Sequence, residues 1–499
     1  MNFDDFLKQT GEIGYVDQVV GPIAYVNGLP GAACEELVVF ENDEIGQILS
    51  LGTDHIEVLT FSRTPVHVGA KLTRTNRNFQ VPVGRELLGK IIDPFGRAFD
   101  PANPISTPKE YRSIQNPPAG ITARKTIKRH LVTGITMVDL LIPIGHGQRE
   151  LIIGDRKTGK TNFLLATVLS QAKLGNVCIY VLIGRRKLDI KKVEELFVKN
   201  NVLDKVVIVA TTSYDPQGLV YLAPYSAMTI AEYFRDAGID TLLVIDDLST
   251  HAKFYRELSL LGRRFPGRNS YPADIFHTHA RLMERAGNFK VGDRECSITI
   301  LPIVEAAQGD LSGYIQTNLM SMTDGHLFFD AGLFSQGRRP AINPFLSVTR
   351  VGQQTQSDLK RSIARELRSF LTLYQKTQRY ILFGEELSEN IKTILATGDK
   401  ITRFFQQPPS TITAENIQIF LFALVWANFW KDEEFSKIKQ DMDKWNLMYQ
   451  DNPKFAENID KIINESTHLN DLLAKIRNME ANSKNQIVNS KNTRSTSSG

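Results

Sequence analysis

The sequence has few cysteines and lacks any long hydrophobic run. Its three cysteines, Cys34, Cys178 and Cys296, lie far apart, with neither a CxxC spacing nor a histidine at ligand spacing. We therefore exclude a disulfide framework and a cysteine-based zinc site, and expect three buried thiols in a reducing compartment. No apolar stretch reaches the about 18 residues that a membrane-spanning helix requires, so any membrane role must come through partners.

A strong excess of charge is also missing. The formal net charge is +4 over 499 residues, which is too small to predict a nucleic-acid-binding surface from electrostatics. The first ten residues are polar and acidic, so no secretory signal is indicated. A hydrophobic fraction of 42% and a charged fraction of 23% are typical of globular proteins. The length predicts roughly two to four domains.

The first part of the sequence, residues 1–75, has the pattern of a small β domain. Short strand-like runs such as His55 to Phe61 are separated by turn signals, among them Asn27-Gly28. This pattern predicts an N-terminal β-barrel, with a β-sandwich as the alternative.

The pattern then changes twice. In residues 76–353, helical segments alternate with continuous apolar runs at 151–153, 177–183, 206–210, 242–245 and 297–303. Continuous apolar strands are typical of a parallel sheet covered on both faces, so we expect an α/β domain here, and it is the candidate for nucleotide binding. Residues 354–477 show helical periodicity and predict a C-terminal α-helical domain. The polar segment 478–499 predicts a disordered tail.

The strongest chemical signal is a glycine-rich loop between a predicted strand and a predicted helix. Its glycines let backbone N–H groups converge on phosphate oxygens, and the helix N-terminus adds partial positive charge. Lys160 is expected to reach the terminal phosphates, and the Thr161 hydroxyl is expected to bind Mg²⁺. The candidate phosphate-binding residues are Gly154, Asp155, Arg156, Lys157, Thr158, Gly159, Lys160, Thr161 and Asn162.

Two carboxylates follow a second buried strand. Asp246 and Asp247 end the apolar run that begins at Thr241. The carboxyl end of a strand is where ligands bind in open α/β sheets, so Asp246 is expected to hold Mg²⁺ through water. Together with the loop, it predicts a site for ATP and Mg²⁺.

Further motifs lie in order along most of the sequence. They are Val81-Pro-Val-Gly-Arg-Glu-Leu-Leu-Gly89, Pro143-Ile-Gly-His-Gly-Gln-Arg-Glu150, Asp246-Asp-Leu-Ser249, Arg263-Arg-Phe-Pro-Gly-Arg268, Tyr271-Pro-Ala-Asp274, Gly309-Asp-Leu-Ser-Gly-Tyr314, Thr323-Asp-Gly325 and Ser347-Val-Thr-Arg350-Val-Gly352. With the loop, this set resembles the alpha subunits of F1-type rotary ATPases. The resemblance runs from about Gly11 to Arg477.

The resemblance implies a subunit of three parts: a β-barrel, a RecA-like α/β nucleotide-binding domain and a C-terminal helical domain. It also implies a hexameric ring in which alpha-type subunits alternate with catalytic β-type subunits around a central γ-type shaft. It also implies a location at the inner face of the cell membrane, on the cytoplasmic side. The membrane would be reached only through other subunits, and no direct nucleic-acid contact is implied.

One position distinguishes the two kinds of ring subunit. In the hydrolytic β subunits of the family, a glutamate after the strand that follows the phosphate loop orients the attacking water. Here Arg185 stands at that position. A guanidinium has only donors and stays protonated, so it cannot accept a proton or orient water by accepting its hydrogen bond. We therefore expect ATP to be bound but not turned over, and the isolated protein to be inactive.

The family usually has glutamine at the positions of Lys157 and Arg185. The two cations here either tighten triphosphate binding or form surface ion pairs. We favour nucleotide binding, with surface ion pairs as the alternative.

Arg350 has the second role that the resemblance implies. It matches the arginine that reaches the γ-phosphate in the catalytic site of a neighbouring β-type subunit, where a bidentate cation stabilises the transition state. The alternative is an ordinary surface arginine after a strand.

The remaining candidates concern the nucleotide base and a histidine pair. By resemblance, Phe334, Arg339, Pro340 and Gln407 lie on the adenine side. The second glutamine expected there is replaced by Pro409, which has no side-chain hydrogen bond to offer. The His277–His279 HxH pair is expected to be structural, because no third metal ligand is evident.

The N-terminus departs from the family pattern. Only ten residues precede the predicted barrel, whereas ATP synthase alpha subunits carry a longer N-terminal helix that docks the peripheral stalk. A marginally stable helix needs about 12–15 residues, so we do not expect a conventional contact with the stalk δ subunit. An alternative function is therefore an alpha-like subunit of an F1-like motor that is not coupled to proton-driven synthesis. A RecA-type hexameric nucleic-acid motor is a second alternative.

Overall fold

The computed structural model describes residues 2–381, 388–409, 411–430 and 433–478. In sequence order, its strands are β1 (Gly14–Val20), β2 (Ile23–Asn27), β3 (Glu36–Phe40), β4 (Ile45–Leu51), β5 (Ile56–Thr60), β6 (Lys71–Asn78), β7 (Gln80–Val83), β8 (Ile91–Ile92), β9 (Glu110–Ser113), β10 (His130–Leu131), β11 (Ile144–Gly145), β12 (Glu150–Gly154), β13 (Val177–Arg185), β14 (Val206–Thr212), β15 (Thr241–Asp246), β16 (Gly287–Val291), β17 (Arg294–Glu305), β18 (Gly325–Phe329) and β19 (Val348–Thr349).

The helices are α1 (Phe3–Thr10), α2 (Thr136–Leu141), α3 (Lys160–Lys173), α4 (Lys187–Lys199), α5 (Gln217–Asp236), α6 (Leu248–Leu261), α7 (Ile275–Glu284), α8 (Tyr314–Met322), α9 (Ala331–Ser335), α10 (Asp358–Ile381), α11 (Glu389–Phe404), α12 (Glu415–Trp426), α13 (Phe435–Asp451), α14 (Pro453–Asn464) and α15, which includes residues 469–478. None of the described helices is both long enough and apolar enough to cross a membrane.

The protein forms two compact units. One contains the residues up to Ile127 together with His146–Ala331, and the other contains Lys128–Gly145 and the described residues from Gly332 onward. The domain boundaries predicted after residues 75, 353 and 477 stay predictions. The predicted disordered tail lies outside the described residues, apart from Asn478.

The first unit begins with a closed barrel. Its strands are hydrogen-bonded in the order β1-β2-β5-β4-β3-β6, and β1 closes the ring onto β6. Buried apolar side chains such as Val16, Phe40 and Leu72 form its core, because alternate residues of each strand point inward. The barrel prediction is therefore confirmed, and the sandwich alternative is wrong.

The short segment before the barrel is a helix. Although α1 has eight residues, fewer than an isolated helix needs, it is stabilised by packing on the barrel. Phe6 is buried, and the Thr10 hydroxyl lies 3.0 Å from the Thr73 hydroxyl of β6. The Asn2 side-chain oxygen caps its first turn.

Most of the rest of the first unit is a mainly parallel sheet packed against helices, and β7 and β9 form a separate antiparallel pair. The strands of the sheet lie in the order β18-β12-β17-β15-β13-β14-β8, with β16 antiparallel to β17. All six residues of β15 are buried, as are the first seven of β13, which explains their continuous apolar sequences. The predicted α/β domain is confirmed.

This topology brings several strand ends together. Gly154 at the end of β12 lies between Glu305 of β17 and Phe329 of β18, and Asp246 at the end of β15 lies beside Leu182 of β13. The phosphate-binding loop and the acidic residues therefore meet at one edge of the sheet.

The second unit is mostly helical, as predicted. Residues 417–425 of α12 are buried, and α12 contacts α2, α11, α13 and α14. The buried Asp139 of α2 accepts hydrogen bonds from the backbone N–H groups of Thr133 and Gly134 and from the Gln418 side chain. Burial raises the pKa of Asp139, and the nearby His130 and these hydrogen bonds only partly offset this effect.

One prediction about the cysteines is wrong. Cys178 and Cys296 are buried in the sheet as expected, but Cys34 is exposed. Cys34 lies in a turn just before β3, and turns run over the protein surface.

Candidate functional site

The phosphate-binding loop leaves the sheet at a position that only glycine can occupy. Gly154 has a φ of 156°, and a Cβ atom there would lie 2.2 Å from the backbone oxygen of Phe329. Gly159, with a φ of 96°, precedes the first residue of α3. The loop therefore enters the helix with its backbone N–H groups at the helix N-terminus, as an anion-binding loop requires.

Lys160 lies across this loop. Its ammonium group is largely buried and donates hydrogen bonds to the backbone oxygens of Gly154, at 2.8 Å, and Asp155. Burial lowers the pKa of Lys160, and the carboxylates of Glu305 and Asp246 only partly offset this effect. The ammonium group is thus held over the loop by carbonyl oxygens, and a phosphate group would be a stronger acceptor.

The other loop residues divide into anchored and exposed side chains. Asp155 accepts a hydrogen bond from the Gly309 backbone at 3.0 Å, and the Thr158 hydroxyl donates to the Asp155 backbone oxygen at 2.7 Å. Arg156 forms a 2.8 Å ion pair with Glu305. Lys157 and Asn162 are exposed. Arg156 is thereby directed toward the end of β17, whereas Lys157 stays at the open surface of the loop.

Asp246 is the centre of a buried cluster. Its carboxylate accepts hydrogen bonds from the Thr161 hydroxyl at 3.2 Å, from the Tyr180 hydroxyl at 3.2 Å and from the guanidinium of Arg185. The same guanidinium nitrogen lies 3.1 Å from Asp247, whose other oxygen caps α6. Both aspartates are 2% exposed. Arg185 therefore binds both carboxylates instead of forming a surface ion pair.

The electrostatics of the cluster follow from its burial. Burial alone lowers the pKa of Arg185, but the charges of Asp246 and Asp247 outweigh this effect and raise it. For Asp247, burial and the neighbouring Asp246 raise the pKa, while Arg185 lowers it. Burial and Asp246 hold the pKa of Tyr180 well above its usual range. Arg185 is therefore a fixed cation beside the Asp246 carboxylate.

The cluster fits a magnesium ion that arrives with a phosphate. Magnesium prefers hard oxygen ligands and usually keeps several waters. The Thr161 hydroxyl and the Asp246 carboxylate, at 3.2 Å from each other, are oxygens of this kind beside the loop. Over the described ranges, no group of three or more His, Cys, Asp or Glu side chains is arranged to hold a metal. Phosphate and water oxygens would have to complete the coordination.

Two residues of the site were missed by sequence reasoning. Glu305 pairs with Arg156, and its backbone N–H donates a hydrogen bond to the Ser249 hydroxyl at 2.8 Å. Tyr180 lies within β13 and contacts Asp246. The only sequence signal for Glu305 is its position just after a predicted strand. Nothing in the sequence distinguishes Tyr180 from a core tyrosine.

Arg350 lies in the second unit, on a firmly held backbone. The hydroxyl of Thr349 donates to the Pro143 backbone oxygen at 2.9 Å and accepts from the Gly352 N–H at 3.0 Å. A Cβ on Gly352 would lie 1.7 Å from the same Pro143 oxygen, so this close approach requires glycine. Arg350 itself is exposed and makes no hydrogen bond or ion pair with any residue that the structure describes.

The four residues predicted on the adenine side also lie in the second unit. The Arg339 guanidinium stacks on the Phe334 ring, 3.4 Å from its centroid, and Pro340 follows it. The backbone N–H of Gln407 donates to the Arg339 oxygen at 2.7 Å. However, the Gln407 side-chain amide accepts from Thr136 N–H and donates to the Gly134 and Thr411 oxygens. It would have to release these partners to bind a base, so its adenine role stays a prediction.

The HxH pair is divided between two environments. His277 is exposed, whereas His279 is buried against His251, with 3.3 Å between their ring nitrogens. The other ring nitrogen of His251 donates to the Tyr221 backbone oxygen at 3.1 Å. The two HxH side chains therefore do not converge.

Comparison with known proteins agrees with this geometry. Residues 134–349 match the model of the ATP synthase alpha/beta family nucleotide-binding domain. Residues 356–481 match the model of the C-terminal domain of ATP synthase alpha/beta chains. The protein is 39% identical over 442 residues to the ATP synthase subunit alpha of Dictyoglomus thermophilum, covering 88% of this sequence and 86% of the relative. It belongs to the ATP synthase alpha-subunit family.

A second relative gives the same result from a different organism. The ATP synthase subunit alpha of Neorickettsia sennetsu is 39% identical over 431 residues, with 84% of each sequence covered. The resemblance stated from the motifs is therefore confirmed. The loop from Gly154 to Thr161 lies within the residues that match the nucleotide-binding domain of this family.

Proposed function

We propose that this protein is a non-catalytic alpha-type subunit that binds ATP with Mg²⁺ at the loop from Gly154 to Thr161. We propose further that it lends Arg350 to the catalytic site of a neighbouring β-type subunit. The observation that carries the first part is the position of Arg185, bound to Asp246 and Asp247 at the edge of the sheet.

The phosphate-binding elements support nucleotide binding. The loop N–H groups and the N-terminus of α3 provide partial positive charge, and Lys160 provides a full charge. Thr161 and Asp246 would hold Mg²⁺, Asp246 through water. Bound Mg²⁺ would supply charge neutralisation between phosphate oxygens.

The chemistry of Arg185 argues against turnover in this subunit. Hydrolysis needs an acceptor that orients the attacking water, and Arg185 has only donors. Loss of such a group typically lowers the rate by about 10²–10⁴-fold. The two aspartates nearest to the loop are already bound to Arg185, so neither is free to replace the missing glutamate.

The exposure of Arg350 supports the second part. The guanidinium is on a rigid turn and has no partner among the described residues, as an arginine that acts on another subunit should be. The curated relatives are named ATP synthase subunit alpha. We therefore infer a hexameric ring with β-type subunits and a γ-type shaft, on the cytoplasmic side, with the membrane reached through other subunits.

The proposal is tested on the purified full-length protein. Calorimetry with ATP and Mg²⁺ should show binding, while phosphate release stays at background. The Lys160→Gln variant should bind ATP about 10–100-fold more weakly, because a charge-assisted hydrogen bond is worth about 1.5–3 kcal/mol. Hydrolysis by the isolated protein that Lys160→Gln abolishes would contradict the non-catalytic assignment.

A further inference from the structure

The Asp246 carboxylate has few free positions for another cation. One oxygen accepts from Arg185, and the other accepts from both Thr161 and Tyr180. Asp247, directly beside it, shares the same Arg185 nitrogen at 3.1 Å. Two adjacent buried carboxylates without a counter-charge would attract a divalent cation strongly. Here the counter-charge is part of the protein.

The position of Arg185 makes this counter-charge permanent. Its side chain is about one-third exposed, at 34%, whereas the two aspartates are nearly inaccessible. A guanidinium does not lose its proton in proteins, and it is less strongly hydrated than an ammonium group. Displacing Arg185 from the two carboxylates would leave buried charges unpaired, which is costly.

The cations around the loop add to this effect. Lys160 lies over the loop, and the exposed Lys157 is three residues before it. Arg156 is different, because Glu305 neutralises it. A triphosphate at the loop would therefore meet two protein cations, Lys157 and Lys160, before any metal ion is added, while Arg185 offsets the charge of Asp246 and Asp247.

We propose that Arg185 acts as a built-in counter-ion of Asp246 and makes triphosphate binding at this loop only weakly dependent on Mg²⁺. Arg185 acts here as a positioning residue, because it affects the metal ion only through the Asp246 carboxylate, whose attraction for a cation it weakens. The inference rests on the proposed nucleotide-binding function. In a site whose acidic residue has no cationic partner, that residue would bind the metal ion more strongly than Asp246 does here.

The test compares ATP binding to the full-length protein with Mg²⁺ and with EDTA, by calorimetry. The measured quantity is the ratio of the two dissociation constants. In the wild-type protein we expect Mg²⁺ to tighten binding by less than about tenfold. In Arg185→Gln the ratio should increase by about tenfold or more, because one fixed charge next to the metal position is removed.

Two variants serve as matched controls. Arg186→Gln removes the exposed arginine next to Arg185, which pairs with Asp189 at 3.3 Å and not with Asp246, so the ratio should equal that of the wild type. Arg185→Lys keeps the charge and should retain most of the wild-type ratio. An unchanged ratio in Arg185→Gln, or a wild-type protein that binds ATP only with Mg²⁺, would overturn the inference and leave the nucleotide-binding proposal standing. No ATP binding under either condition would overturn both.

A second measurement does not depend on any variant. Mn²⁺, as a spectroscopic substitute for Mg²⁺, can be titrated into the wild-type protein with ATP and followed by electron paramagnetic resonance. We expect the affinity for Mn²⁺ to be within about tenfold of that of free ATP. A much tighter Mn²⁺ site would show that Asp246 attracts the metal as strongly as a carboxylate without a counter-ion, and would refute the role of Arg185.

Discussion

Arg350 is the residue for which sequence and structure give complementary information. The sequence supplied its position in a family motif, whereas its exposure and the fixed backbone of Thr349 and Gly352 come from the structure. An arginine intended for an internal ion pair would have an acidic neighbour. Among the described residues Arg350 has no such partner, which favours a role outside its own subunit.

A substitution in the assembled complex tests this role. Arg350→Ala, co-purified with the β-type partners, should reduce ATP hydrolysis by about 10³–10⁵-fold while the ring still assembles, because transition-state charge on the phosphate is no longer neutralised. Steady-state phosphate release and size-exclusion chromatography measure the two properties. Arg361→Ala removes an exposed arginine that pairs with Asp358, and it should leave activity nearly unchanged. Near-normal turnover in the Arg350→Ala complex would contradict the proposed role of Arg350 in the neighbouring catalytic site.

Other residues show where sequence reasoning reaches its limit. Asp246 could be found because it ends an apolar strand after a phosphate-binding motif. Its capture by Arg185 joins residues 61 positions apart, and such a contact depends on strand order, which the motifs do not contain. The same reason explains why the contacts of Glu305 and of the Gln407 amide were not foreseen.

At the scale of elements, the apolar patterns carried most of the information. Buried strands such as β13 and β15 have continuous apolar sequences, so their positions were predictable to within a few residues. Helix α1 was not, because its stability comes from Phe6 and Thr10 packing on the barrel and not from its own length. The prediction for Cys34 was wrong because its turn lies at the surface, which the residue type does not reveal.

Helices α6 and α7 are joined by the buried pair His251 and His279. This pair predicts that the folded protein loses stability in acid. The Tyr221 carbonyl accepts from His251, whose other nitrogen then accepts from His279, so both rings are neutral. Burial lowers the pKa of His251 to about 4 and that of His279 to about 3. The unfolded protein therefore binds protons that the folded protein excludes once the pH falls below the ordinary value of about 6.5.

The expected result is a loss of stability on the acid side. The stabilising contribution is complete above about pH 6.5 and decreases, by roughly 1.4 kcal/mol per pH unit for each histidine, as the pH falls toward the folded-state values. Urea unfolding midpoints at pH 7, 6 and 5 measure this slope. His279→Gln should reduce the slope, whereas His277→Gln, two residues away and exposed, should not. Identical slopes in wild type and His279→Gln would rule out the buried pair as the cause.

At the scale of the whole molecule, the proposed division of labour can be measured in the assembled ring. If the loop at Lys160 binds nucleotide without turning it over, as proposed, the Lys160→Gln ring should retain hydrolysis to within about tenfold, unlike the Arg350→Ala ring. Multisite turnover at saturating ATP, with the bound nucleotide counted after denaturation, gives both values. If Lys160→Gln stopped turnover as completely as Arg350→Ala, the proposed division of labour between the two subunits would be contradicted.

The turn that carries Arg350 has a consequence for how quickly such a ring could work. Fixing one residue's backbone costs about 1–2 kcal/mol of conformational entropy, and here the Thr349 hydroxyl and Gly352 have already fixed it against Pro143 during folding. In the proposed ring, only the rotations of the Arg350 side chain would be left to be restricted when a neighbouring subunit closes on its substrate. Repeated closure would then not require the backbone that carries Arg350 to become ordered each time.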